Sequence, residues 1–175
     1  MKTKEGTKIK GRFDIEVYDK PGGKLISKSS CHNIVTNQGL DHILDVVLHG
    51  TAAIATWYCA LFENDYTPLA GNTYAVPGYT ECVAYDEATR PEYIEAASSG
   101  QSITNSANKA VFTANATKTL YGASLVGGGT AANTKGDIAG GGTLLCSGKF
   151  SASQPVVSGN VVNLTYTVSA ADDGV

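Results

Sequence analysis

Alternation with a period of two dominates the start of the chain. From Lys8 to Tyr18, Ile9, Phe13, Ile15 and Val17 fall on one side with Gly11 in register, while Lys8, Lys10, Arg12, Asp14, Glu16 and Tyr18 fall on the other. This is the pattern of a strand with one buried and one wet face. Pro21-Gly22-Gly23 is a turn sequence, and Lys24 to Lys28 reads as the returning strand of a β-hairpin. The period then changes. Leu40, Ile43, Leu44, Val47 and Leu48 recur at i, i+3, i+4, i+7 and i+8, which predicts a helix over 37–49. Thr36 or Asn37 can cap its start, and Gly50 suits its end. Its apolar stripe is expected to lie on a sheet.

Ile54 to Phe62 is apolar almost throughout and predicts a strand buried on both faces. Glu63 to Tyr79 holds Pro68, Gly71, Pro77 and Gly78 and reads as a long loop. Strands are expected at 81–85 and 92–96 around Arg90-Pro91, followed by a polar surface connection over 98–108. Ala110 to Thr113, Lys118 to Val126, Thr143 to Phe150 and Val161 to Ser169 carry the β-branched and aromatic residues of further strands. Between Gly127 and Gly142 lies a loop bounded by two Gly triplets. The sum is an all-β, mainly antiparallel fold, a β-sandwich or jelly-roll-like body with one packed α-helix near residues 37–49. Residues 1–30 form a basic N-terminal arm and hairpin, and 31–175 a β-rich body, within one structural domain of 175 residues.

Charge adds an asymmetry to this picture. Residues 1–28 hold eight Lys/Arg against four Asp/Glu, and the rest five against twelve, which gives +4 and −7 and sums to the net −3. The basic end, Lys2 to Arg12, suits an acidic partner. It lacks the interleaved aromatics of a nucleic-acid site, so no nucleic-acid partner is expected. No stretch has the apolar length of a membrane helix, and no h-region of a secretory signal opens the chain, so the expectation is synthesis in a cytoplasm and no membrane partner.

Candidate chemistry changes the picture little. Cys31, Cys59, Cys82 and Cys146 form no CxxC pair and read as reduced core residues. His42, Asp45 and His49 lie on one side of the predicted helix, but without the i, i+4 histidine spacing of a zinc helix, so no metal or other cofactor is expected. No GxSxG is present, and the Gly triplets precede neither Lys-Ser/Thr nor a helix, so they are not phosphate cradles. Glu81, Asp86, Glu87, Glu92 and Glu95 read as an acidic surface, with a glycosidase pair as the sharper alternative. Tyr66, Tyr74 and Tyr79, interleaved with amides and carboxylates, are candidate contacts for a sugar or a protein. No catalytic residue is assigned.

Several segments together resemble small structural proteins of tailed bacteriophages, of the capsid cement or decoration type. They are Asn33-Ile-Val-Thr-Asn-Gln-Gly-Leu-Asp-His-Ile-Leu-Asp45, Thr56-Trp-Tyr-Cys-Ala-Leu61 and Ser106-Ala-Asn-Lys-Ala-Val-Phe112. Gly122-Ala-Ser-Leu-Val126, Gly142-Thr-Leu-Leu-Cys-Ser-Gly-Lys-Phe150 and Val157-Ser-Gly-Asn-Val-Val-Asn-Leu-Thr-Tyr-Thr-Val168 complete the set. The resemblance implies a virion protein without enzymatic activity, made in the host bacterial cytoplasm, whose partner is the major capsid protein or another virion protein. It further implies a homo-oligomer, expected as a trimer, with Lys8, Lys10 and Arg12 as capsid contacts. A tail or fibre component, or a host-glycan-binding module using Tyr66, Tyr74 and Tyr79, is the alternative.

Overall fold

The period-two segment becomes strand β1 (Thr7–Tyr18), with Gly11, Phe13, Ile15 and Val17 buried. In the computed structural model, which describes residues 6–172, β1 turns at Pro21-Gly22-Gly23 into the antiparallel strand β2 (Leu25–His32). Gly22 has φ 65°, a left-handed value that disfavours any side chain. Along its other edge β1 pairs over its whole length with β9 (Val161–Asp172). Strands β5 (Ser102–Thr104) and β6 (Ala110–Thr113) lie end to end on the far side of β9.

The second sheet runs β3 (Ile34–Val35), β8 (Thr143–Val156), β7 (Lys118–Gly127), β4 (Trp57–Phe62), antiparallel throughout. The two sheets bury Phe13, Ile15, Leu61, Phe112, Leu125 and Tyr166 between them. Each such side chain stabilises the fold by ~1.5–3 kcal/mol relative to exposure. The fold is thus the expected all-β, mainly antiparallel sandwich with a single helix, α1 (Asn37–Leu48).

Strand β4 is buried on both faces, as its apolar sequence predicts. Cys59 and Leu61 face the other sheet, whereas Tyr58 joins Tyr74, Val126, Ala132 and Leu144 in a second cluster on the outer side. The cover on that outer side is irregular chain, contributed by residues 63–80 and 127–142.

Four expectations need correction. Residues 81–85 and 92–96 form no strands; they make only isolated bridges, such as Phe62 with Glu81 and Tyr58 with Glu92. The chain between them turns inward at Arg90, so it meets the open edge of β4 point by point, as in Cys82 N to Leu61 O, Cys59 N to Pro91 O and Tyr93 N to Trp57 O. The connection at 98–108 is not wholly superficial, because it holds β5 and the fully buried Asn105. Asn105 accepts from Tyr166 N at 2.8 Å and donates to Leu164 O at 3.2 Å, standing in for a strand where β5 has ended. Strand β8 runs on to Val156, past four residues (150–153) that bulge opposite Tyr121 alone and reach Ser29 of β2.

The fourth correction concerns α1. Its bounds are as predicted, and Thr36 Oγ1 accepts from Gly39 N at 3.0 Å as the cap. The stripe does not lie on the sheet as expected. Gly39 is pressed against the Leu145 carbonyl so closely that a Cβ there would overlap it. This contact sets the rotation of the helix. The inward row becomes Gly39, His42, Ile43 and Val46, with His42 edge-on to Trp57 at 5.7 Å. Leu40, Leu44, Val47 and Leu48 are exposed.

Candidate interaction surfaces

Three regions hold the residues singled out by the sequence. The first is the irregular wall over the outer side of β4, β7 and β8. Its centre is Arg90, 3% exposed. Nε and Nη2 of Arg90 donate to the two carboxylate oxygens of Glu81 at 2.9 and 2.5 Å. Nη1 donates to the Tyr74 hydroxyl and to Ala132 O, and Nη2 to Asp137 O. Burial works against the Arg90 charge, but the Glu81 hydrogen bond and charge outweigh it and hold the guanidinium protonated. The Tyr74 hydroxyl donates to Asp137 Oδ2 at 2.7 Å. That bond is the main reason the Asp137 carboxyl sits below its usual range. One arginine therefore joins 74–81 to 132–137 and orders the glycine-bounded loop. Gly128, Gly129, Gly136 and Gly141 take left-handed φ values of 63–74° along it.

The candidate tyrosines all lie in this wall, with their hydroxyls engaged inside the chain. Tyr74 is buried against Arg90 and Asp137. Tyr79 stacks on Phe62 at 4.8 Å, and its hydroxyl lies 2.6 Å from the buried Ser124 Oγ. Tyr66 exchanges hydrogen bonds with Asn72 at 3.0 and 3.1 Å. The wall is tied to α1 by Gln38, which accepts from Tyr74 N and Leu144 N and donates to Gly142 O.

The second region is the outward face of β1. Lys8, Lys10 and Arg12 are exposed there, followed by Asp14 and Glu16. The acidic half is neutralised locally. Asp14 receives Arg12 at 2.7 Å, and Glu16 receives Lys109 at 2.6 Å and lies opposite Lys28. The basic half is set differently. The β2 register stops at His32 opposite Arg12, so Lys8 and Lys10 extend beyond β2, with Ala171 and Ser169 of β9 as their register partners. Lys2 and Lys4 of the basic arm lie outside the described residues.

The third region is the outer surface of α1. Leu40, Leu44, Val47 and Leu48 are 40, 55, 71 and 78% exposed. An apolar groove of about 280 Å³ opens beside them, lined by Val46, Val47, Ile54 and Trp57 among others. His42 faces Trp57 while Asp45 and His49 are exposed, so the fold does not gather the three into a site. Among the described residues no cluster of three metal-ligating side chains occurs.

The four cysteines are free. Burial pushes the Cys82 thiol up to about 11 and the Cys31 and Cys146 thiols to about 12, so all three are held as poor nucleophiles. The centre of the wall is what the sequence reading missed. The available signal was a lone arginine amid five carboxylates, next to a proline that stops strand pairing. Compared with protein-family models the chain matches none, and no curated protein is significantly similar to it.

Proposed function

We propose that the chain is a non-enzymatic structural protein of a bacteriophage particle, a capsid decoration protein that stabilises the shell through the major capsid protein. The likeness of residues 33–170 to such proteins supports this reading. So does the use the fold makes of its polar groups: the buried arginine, amides and tyrosine hydroxyls fix irregular chain against the sandwich, and the thiols are held protonated. The observation that carries the reading is the outward face of β1. There Lys8, Lys10 and Arg12 are exposed along one strand, and Lys8 and Lys10 project past the end of β2. A rigid strand that presents lysines at a sheet end suits an acidic surface on the shell. Each contact is modest, but many copies on one lattice raise the effective concentration at every site.

The test is to mix the protein with expanded, undecorated shells and measure co-sedimentation and the melting temperature of the shell. Fixed stoichiometry with a raised shell melting temperature is the expected result. Changing Lys8 and Lys10 to Glu should weaken attachment, and more steeply at low salt than at high. Undiminished occupancy by that variant would remove the basic row from the interface. Binding to tails in place of shells would move the protein to the other end of the particle.

A further inference from the structure

We propose that the outer face of α1 is a self-association surface, on which a second copy of this chain lays its own α1 antiparallel. Leu40, Leu44, Val47 and Leu48 carry the exposure given above, and the groove at Ile54 and Trp57 continues their apolar surface. Exposed fractions of that size on four such side chains make a patch on the order of 500 Å², the upper range for a monomer and the class that marks an interaction site. A patch that pairs with itself removes about twice that area from water, roughly 1,000 Å², where specific interfaces begin.

The spacing of the leucines names the occupant. Leu44 stands four residues from Leu40 and four from Leu48, so the three lie one turn apart along one side of the helix. A two-fold axis through Leu44 sets that residue against itself and sets each Leu40 against Leu48 of the other copy, which is the self-complementarity an isologous contact requires. The border agrees at its ends. Asp41, Asp45 and His49 each follow one of the leucines and form a row beside the stripe. In an antiparallel pair these rows run alongside one another, so Asp41 meets His49 of the other copy twice, and Asp45 meets Asp45 once. An apolar face bordered by aspartates, with no basic residue in the last turn, does not suit an anionic lipid surface. The contact is two-fold, so it gives a dimer, where the resemblance implies a trimer. It needs no particle and stands apart from the decoration reading.

Sedimentation velocity of the purified protein across concentration tests it. A monomer–dimer equilibrium is expected. Leu44→Asp should weaken it by about a hundredfold, the scale of a central interface residue, while the monomer melts as before. Asp45→Asn should tighten it by roughly threefold, because it removes the like-charge contact at the axis. A docking surface for an unrelated protein would not make that response. Leu44→Cys should cross-link copies under mild oxidation, with Val157→Cys, exposed elsewhere, as the control that does not. A monomer at every concentration, a trimer, or an association indifferent to Leu44→Asp would overturn the proposal.

Discussion

The irregular wall and the outer half of α1 are opposites in how they meet the rest of the protein. The wall has almost no regular structure, yet it is fixed by a buried guanidinium that makes five hydrogen bonds, two of them in an ion pair with Glu81. The helix has the most regular apolar pattern after β1, yet four of its five stripe residues face water. Periodicity reports that a segment can form an amphipathic element; it does not report which side the fold will use. In α1 Gly39 bears on that choice, because a Cβ at residue 39 would overlap the Leu145 carbonyl, to which the N-cap Thr36 also donates its N–H. Order in the wall comes from specific polar contacts, while the apolar surface of α1 is left for another body to cover.

The sharpest way to break the comparison is to remove the guanidinium. Arg90→Met should destabilise the fold by about 3–5 kcal/mol, because it leaves the carboxylate of Glu81 buried without its partner. Urea unfolding followed by tryptophan fluorescence measures this, and adding Glu81→Gln should recover part of the loss. Next comes the contact that orients α1. Gly39→Ala should cost about 1–3 kcal/mol by forcing the helix off Leu145, seen as a lowered midpoint with far-UV signal retained before unfolding. Leu48→Ser, on the same helix but 78% exposed, should change monomer stability by no more than ~0.5 kcal/mol. A large loss there would mean that the outer face is covered within the monomer, and the contrast would fail.

The buried thiols give a pH signature of their own. An ordinary thiol titrates near 9.0, whereas burial holds Cys82 at about 11 and Cys146 at about 12 in the fold. Above pH 9 the unfolded chain releases protons that the folded chain keeps, so stability should be flat near neutrality and fall as pH rises past 9. The buried Tyr85 and Tyr166, also raised mainly by burial, add to the fall above pH 10. Urea midpoints between pH 7 and 10.5 would read it, and Cys82→Ala should flatten the first part of the decline.

Where a residue's partner is close in sequence, or its pattern spans a whole element, the fold was legible. Strand β1, its hairpin, the helix bounds, the two-faced burial of β4 and the sandwich class all came from local periodicity and turn chemistry. What was not legible depends on partners far along the chain. Arg90 meets Asp137 O 47 residues away, Tyr74 meets Asp137 Oδ2 63 away, and Gln38 meets Leu144 N 106 away. No local pattern marks such pairs, so 81–85 and 92–96 read as strands, and Tyr66, Tyr74 and Tyr79 read as candidate contacts for a sugar or a protein. The basic row was legible as residues, but its extension beyond β2 depends on where β2 ends. The outward turn of Leu44 and Leu48 depends on Gly39, which sequence alone presents as a weak helix residue.

Strand β9 has a consequence for how the chain is made. It is the hydrogen-bonding neighbour of β1, β5 and β6 alike, and among the described residues it is the last strand in chain order. On the ribosome the β1–β2 hairpin must therefore wait, with Phe13, Ile15 and Val17 uncovered, until some 140 further residues have emerged. The second sheet can zip earlier through the β7–β8 hairpin, so it serves as the template on which the first is completed. Pairing of β9 with β1 is then a late, long-range step of folding, and one that termination before residue 161 would forfeit.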